Sequence, residues 1–373
     1  MNILVFSWRD PKHPLAGGAE QVMHEHMKGW IEAGSKVTLF SSYFKGAKPE
    51  ENLDGITIIR RGYELLGVQI AAFIWYVFRS NEKYDLIVDQ FHGIPFFTPF
   101  FVRTRKLAVV QEVANKVWLY NRLPKPFNWI VGIIGYYGEP LIYLFYKKVP
   151  FMTGSNSAKD QLIKVKIQKK NIFIVPHGIK IKKLPKLPPK EKNPTIIFLG
   201  ALAKDKGIED ALVAFSKLKS KNVNFWVVGK ANTRRYFDHL ENLAKKLDIE
   251  NKTKFWGFVN EKVKFKLLAK SHLLINPSIV EGWGLVNIEA NAVGTPVVAY
   301  NSPGLVDSVQ NNKSGVICIN NTPEELAIAA TELIENEEKY RKLQASSISW
   351  SKNFSWEKSK ALSLNLINDI VVR

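Results

Sequence analysis

A single cysteine, Cys318, stands among 373 residues, so no internal disulfide can form and a small stapled scaffold is excluded. No Cys/His cluster has the spacing of zinc ligands. Cys318 lies in the apolar run 315–319 and reads as a buried strand thiol, which suits a reducing compartment. Long apolar runs are scarce as well. Residues 1–10 have no basic start and too short an apolar stretch for a signal peptide, so a first strand is expected there. Two stretches approach the membrane criterion. Residues 65–78 are too few to span a bilayer, and residues 127–146 carry Glu139, Pro140 and three glycines, so both are suited to an interface rather than a crossing. Acidic residues are rare in one block only: residues 101–200 hold 19 Lys/Arg against 4 Asp/Glu, whereas residues 1–100 hold 10 against 11. Most of the net charge of +19 thus sits beside the aromatic stretch 118–146. An anionic membrane surface is the partner this favours. No recognition helix, zinc finger or RNA-binding signature supports nucleic acid, and plain solubility is the remaining account of the charge.

What is present is an ordinary globular mixture, 46% hydrophobic and 23% charged, long enough for two domains. The first half alternates strand and helix. Runs at 2–6 and 36–41 flank a helical pattern over 18–32, and further strands are expected at 56–59, 86–89, 107–110, 151–153 and 172–175. Strand, helix, strand implies a parallel sheet. Residues 180–194 hold four prolines and six lysines and read as an extended connector. The alternation then restarts, with strands expected at 195–199, 224–228, 254–256, 273–276, 296–299 and 316–319. Helices are expected near 208–219, 235–247, 261–269, 285–292 and 303–309, and from 323 onward. The expected organisation is a Rossmann-like acceptor domain over 1–179, a linker over 180–194 and a Rossmann-like donor domain over 195–373. The two parallel sheets would face each other across a ligand-binding cleft, and the last helices are candidates to cross back to the first domain.

Three constellations carry chemistry. Gly17 and Gly18 stand between the first strand and its helix, where open amides and the helix dipole favour phosphate; a ligand-free tight turn is the alternative. The three-glycine dinucleotide fingerprint is absent, which removes the main support for hydride transfer. Glu281 precedes a Gly-x-Gly turn, and Glu289 follows in the next helix beyond Gly284 and Leu285, so both carboxylates can address a ligand held by exposed amides. His92 ends a parallel strand, where site residues collect; a backbone-bonded structural histidine is the alternative.

On these residues the sequence resembles the retaining glycosyltransferases of family four, of GT-B fold, over almost its whole length. The stretch from Glu281 to Glu289 is the most specific part. Ser155-Asn156, Val175-Pro176-His177-Gly178, Gly200-Ala201-Leu202 and Lys206-Gly207 match as well. The resemblance implies a nucleotide-diphosphate sugar as co-substrate and no cofactor. Glu289 would hold the ribose hydroxyls, Glu281 the sugar, and the amides at Gly284 and Leu285 the diphosphate, while Lys206 would neutralise the departing phosphate and His92 would contact the reacting sugar. Such enzymes usually place an arginine where Ala201 stands. Lys204, Arg234 and Arg235 are the cations that could compensate; Trp283, Asn287 and the loop after His92 are candidates for donor selection.

The reaction so implied is retaining transfer of a sugar to a glycan or lipid-linked acceptor. No Asp-x-Asp pair is placed for a divalent metal, so metal independence is expected, with His92, Lys206 and Glu281 as the catalytic set. The stretch 113–148, basic and aromatic, is the candidate acceptor region; a pair of core helices is its alternative. The expected location is cytoplasmic, peripheral on the inner face of the cell membrane. A nucleotide-sugar epimerase, a phosphorylase or an inactive relative are the competing functions, the last motivated by Ala201.

Overall fold

The computed structural model describes residues 1–63, 66–120, 125–179, 187–220, 222–231 and 233–372; residues 180–186 of the expected linker, and Leu65, lie outside them. The chain forms two units, Met1–Gly178 with Trp356–Arg373, and Ile179–Ser355.

The first unit opens with β1 (Asn2–Ser7), whose apolar run is buried on both faces, as a central parallel strand requires. Helix α1 (Gly18–Glu32) begins where the Glu20 carboxylate reaches back to the Gly17 amide. Then come β2 (Lys36–Ser41), β3 (Glu50–Leu53), β4 (Ile56–Arg60), α2 (Leu66–Phe78), β5 (Leu86–Gln90), the short α3 (Thr98–Phe101) and β6 (Arg105–Val109). Helix α4 (Phe127–Leu144), β7 (Phe151–Thr153), α5 (Asn156–Lys164) and β8 (Ile172–Ile174) complete this part. The eight strands lie in the order β3-β4-β2-β1-β5-β6-β7-β8. All pairings are parallel except that of β3 with β4. Strand β3 is absent from the sequence expectations, because its residues Glu50, Glu51, Asn52 and Leu53 carry the polarity of an edge rather than an apolar run. A buried ion pair ties the loop after β1 to β4: Arg60 Nε donates to Asp10 Oδ2 at 2.7 Å, with both side chains fully enclosed.

The second unit is more regular. Strands β9 (Thr195–Leu199), β10 (Asn224–Val228), β11 (Thr253–Gly257), β12 (Leu273–Asn276), β13 (Val297–Ala299) and β14 (Gly315–Ile317) alternate with helices. These are α6 (Ile208–Ser216), α7 (Arg234–Lys246), α8 (Glu261–Lys270), α9 (Leu285–Ala292) and α10 (Leu305–Ser308), followed by α11 (Pro323–Glu335) and α12 (Glu337–Ser351). The order is β11-β10-β9-β12-β13-β14, all parallel. Cys318 stands one residue beyond β14 rather than inside a strand; its amide donates to the Ala299 carbonyl at 2.9 Å, and burial pushes its thiol up to about 12. The last helix, α13 (Trp356–Val372), belongs to the first unit: it packs along α1, with Trp30 Nε1 donating to Ser363 Oγ at 3.1 Å.

Candidate active site

In the second sheet the chain runs outward from β9 in one direction and from β12 in the other, so the boundary between them is a topological switch point, and ligands of open parallel sheets bind outside the carboxyl ends there. The two loops leaving those ends carry the residues singled out from the sequence. After β9 the chain makes a short turn at Lys204–Lys206 and enters α6 through Gly207. After β12 it runs through Glu281 to Gly284 and into α9. The loops are stitched together: the Ile279 amide donates to the Asp205 carbonyl at 2.9 Å. Gly207 has φ +70°, and a Cβ there would come within 2.2 Å of the Pro277 carbonyl oxygen, so only glycine permits this approach. Gly284 also has positive φ, and a Cβ on it would meet Ser308 Oγ at 2.7 Å.

This geometry brings Lys206 to Glu281, with Nζ donating to Oε1 at 2.8 Å and each side chain about one quarter exposed, 26% and 24%. Such a half-open pair contributes at most about 1 kcal/mol, so an incoming phosphate can take the ammonium from the carboxylate at little cost. Glu289 is placed differently. It projects from the second turn of α9 and accepts from Lys264 Nζ of α8 at 2.5 Å; burial raises its carboxyl pKa and the Lys264 charge opposes that rise. The amides of Leu285 and Val286 open α9 and lack intrahelical acceptors. Asn287 and Trp283 face inward. Asn287 accepts from Asn276 Nδ2 at 2.8 Å and donates to Ser308 Oγ at 2.9 Å, so it positions the helix rather than meeting a donor. Trp283 is buried with its ring against Phe354 at 5.2 Å.

Ala201 is exposed beside β9. Arg234 pairs with Asp238 at 2.8 Å on α7, and Lys204 and Arg235 are exposed. A cation overlooked in the sequence is Lys230: the Leu202 amide donates to its carbonyl at 3.1 Å, so the loops after β9 and β10 run side by side. Only strand order could reveal that neighbour. Among the described residues, no group of three His, Cys, Asp or Glu side chains could hold a metal ion.

The first sheet has its own switch point, between β1 and β5. The glycine turn follows one of these strands and His92 the other. Gln90 Nε2 at the end of β5 donates to the Ala19 carbonyl at 3.1 Å, which fixes the two loops side by side. The Gly17 amide already donates to Glu20 Oε2 at 2.7 Å, which leaves Gly18 and Ala19 to open the helix. His92 Nδ1 lies 3.9 Å from Glu112 Oε1. Two buried acids arrange the chain around it. Asp89 accepts from Tyr146 Oη at 2.6 Å and from Thr98 Oγ1 at 2.8 Å, shaping the loop after His92. Glu139 accepts from the Ala114 and Asn115 amides at 2.9 and 2.7 Å and from Trp118 Nε1 at 3.1 Å, and burial raises the pKa of its carboxyl. In the sequence, Glu139 marks only an interruption of an apolar helix; the structure makes it the anchor of the stretch 113–120. His177 is buried, accepts or donates at Nε2 with Gln111 Oε1 at 2.6 Å, and is lowered to about 4 by burial.

Residues 180–350 match the family of glycosyl transferases group 1. The match lies within the second unit and covers less than half of the chain. The fold is GT-B, an α/β architecture with two parallel sheets. An uncharacterized glycosyltransferase of Haemophilus influenzae is 36% identical over 172 residues, 45% of this chain and 47% of that protein. One of Methanocaldococcus jannaschii is 34% identical over 133 residues, 35% of this chain and 33% of that protein. The chain thus matches a third to a half of the length of these relatives. Sucrose-phosphate synthase of Thermosynechococcus elongatus superposes with a TM-score of 0.80 at 18% identity, covering 98% of this chain and 97% of that one. HepE of Anabaena, in complex with UDP and glucose, superposes at 0.74 with 17% identity over 99% and 100% of the two chains. At such identities the likeness is one of fold.

Proposed function

We propose that the protein is a retaining glycosyltransferase that moves a sugar from a nucleotide-diphosphate donor to a glycan or lipid-linked acceptor without a divalent metal. The observation that carries this reading is the exchangeable Lys206–Glu281 pair at the carboxyl edge of the second sheet, beside the open first turn of α9. Cleavage of the bond between the anomeric carbon and the diphosphate leaves an oxocarbenium-like sugar and a growing negative charge on the leaving group. A fixed donor aimed at such charge contributes roughly 3 to 4 kcal/mol. Lys206 supplies the cation and the amides at Gly284 and Leu285 supply the dipoles. Released from Lys206, Glu281 accepts from the sugar hydroxyls, and Glu289 takes the ribose while Lys264 holds its other oxygen. In the first unit the reading assigns His92 to the reacting sugar and the turn at Gly17 and Gly18 to donor phosphate. Retention follows from front-face attack or from a short-lived intermediate; both need the same cation at the same oxygen.

A panel of nucleotide sugars with lipid extract as acceptor tests this, starting with UDP-sugars because HepE was obtained with UDP. The expected result is a product of retained configuration, formed equally well with a chelator present. Lys206→Met lowers kcat about 100- to 1000-fold with a smaller change in KM. Glu289→Ala weakens donor binding about tenfold or more. Epimerised donor would point to another GT-B enzyme. Binding without turnover would point to a non-catalytic relative, which the exposed alanine at 201 favours.

Peripheral attachment to an anionic membrane on the inner face of the cell belongs to the same reading. Among the described residues no helix is long and apolar enough to cross a membrane. Helix α4 nevertheless exposes Phe127, Trp129, Ile134 and Tyr137 to solvent, and α2 exposes Ile70 and Phe78. That is the pattern of helices lying in an interface.

A further inference from the structure

At the amino ends of β6, β7 and β8, the edge of the first sheet opposite His92, the structure has a cavity of about 750 Å³. Its wall carries Arg103, Arg105, Lys106, Lys147 and Lys148 against a single acid, Asp369. Lys106 is engaged, donating to the Val102 and Thr104 carbonyls at 2.8 and 2.9 Å. The other four cations are exposed, and among the described residues none of them forms an ion pair or side-chain hydrogen bond. Four unpaired cations around one concavity repel one another, an arrangement that an anion relieves.

Apart from Thr104 and Asn171 the rest of the wall is apolar, and its apolar part runs out of the cavity. Leu144 and Phe145 line it from the end of α4. Phe145 is half exposed and meets the exposed Phe100 of α3 at 4.9 Å; on that same helix Phe101 meets Phe73 of α2 at 5.2 Å. The exposed faces of α2, α3 and α4 are therefore one aromatic surface with the cationic cavity at its rim. A soluble anion needs the cations but gains nothing from the aromatic surface, and a purely apolar partner gains nothing from the cations. An anionic phospholipid uses both.

The geometry points to this cavity as the headgroup site of an anionic phospholipid, with the α2–α3–α4 surface seated on the bilayer that carries it. This site rests on the membrane part of the proposed function and narrows it to named residues on one edge of one sheet. It lies at the opposite end of the first sheet's strands from the carboxyl end of β5, which His92 follows.

The full chain is titrated with vesicles of phosphatidylcholine alone and of phosphatidylcholine with phosphatidylglycerol, and separately with inorganic phosphate and a single-stranded RNA oligonucleotide. The charge-reversed variant R103E/R105E/K147E/K148E is compared with K245E/K246E/K313E/K352E, which removes the same charge from the second unit. A milder R103Q/K147Q/K148Q variant and a melting curve guard against misfolding. The expected result is binding to the phosphatidylglycerol vesicles only, weakened about tenfold or more by the cavity variants and about twofold by the control. F145S should weaken vesicle binding while leaving any phosphate binding unchanged. Equal losses in both charge-reversed variants would overturn the proposal in favour of diffuse charge. Equal binding to neutral vesicles, preference for the RNA, or displacement from vesicles by millimolar phosphate would overturn it as well. UDP binding, measured on the same samples, reads the donor site separately: its absence counts against the proposed reaction and leaves the vesicle result to decide the cavity.

Discussion

Lys206 and Glu281 lie 75 positions apart in sequence and 2.8 Å apart in the fold, and the chemistry assigned to the protein depends on that meeting. Their partial exposure keeps the pair weak, which suits the proposed turn of the Lys206 ammonium toward a phosphate. Ala201 leaves the same edge one cation short of what the resemblance implies. If the leaving group lacks that contact, Ala201→Arg should raise kcat about tenfold or more, because a charge-assisted donor is gained where negative charge develops. An unchanged rate would mean that a cation already in place serves, and Lys230 on the adjoining loop is the one to replace next. These residue assignments were readable in part. The spacing of Glu281, Gly284 and Glu289 is local, so a sequence displays it. Lys264 beside Glu289, Lys230 beside Leu202 and Glu139 beneath the loop at 113–120 are long-range neighbours, and no local pattern announces them.

Elements followed the sequence wherever burial is continuous. Helix α1 and strands β2, β7, β9, β10 and β12 were legible to the residue because apolar runs, turn residues and caps coincide there. Strand β3 was not, since an edge strand with polar residues has no apolar signature. The helix expected over 303–309 shrinks to α10, Leu305–Ser308, because Gly304 has positive φ and opens it late. The proposed site lies at element junctions, and Gly207 shows how tightly they are built. Gly207→Ala at the start of α6 would force a left-handed backbone onto alanine and drive its Cβ into the Pro277 carbonyl. The expected outcome is a loss of about 1 to 3 kcal/mol in denaturant unfolding, together with weaker donor binding, because the loops bearing Lys206 and Glu281 are pushed apart. Full stability with full donor affinity would show that the two loops need not touch.

At the scale of the molecule, the alternation of strand and helix made two parallel sheets legible, but strand order and the return of α13 to the first unit were not, because both are set by tertiary packing. Strand order matters most: it puts the loops of β9 and β12 at one switch point and those of β1 and β5 at another. Stability should also respond to acid as a whole-molecule property. Burial lowers His26 to about 3 and His177 and His272 to about 4, against 6.5 unfolded. Between pH 6.5 and 4 the unfolded chain therefore binds more protons than the folded one. Stability is full above about pH 6.5 and falls as the pH drops through this window, by up to ~1.4 kcal/mol per pH unit for each histidine. His26 is fully buried against Trp356 with neither ring nitrogen hydrogen-bonded, so His26→Phe should flatten the midpoint-versus-pH curve. A wild-type curve already flat over that range would refute the assignment.

The central claim is that the donor diphosphate is held by the loops after β9 and β12. Amide hydrogen exchange with and without a saturating nucleotide diphosphate or nucleotide sugar tests it without requiring an acceptor. The account predicts slowed exchange at residues 200–207 and 281–289, strongest in the first turn of α9. Nucleotide binding that leaves those amides unchanged and protects only other segments would contradict it.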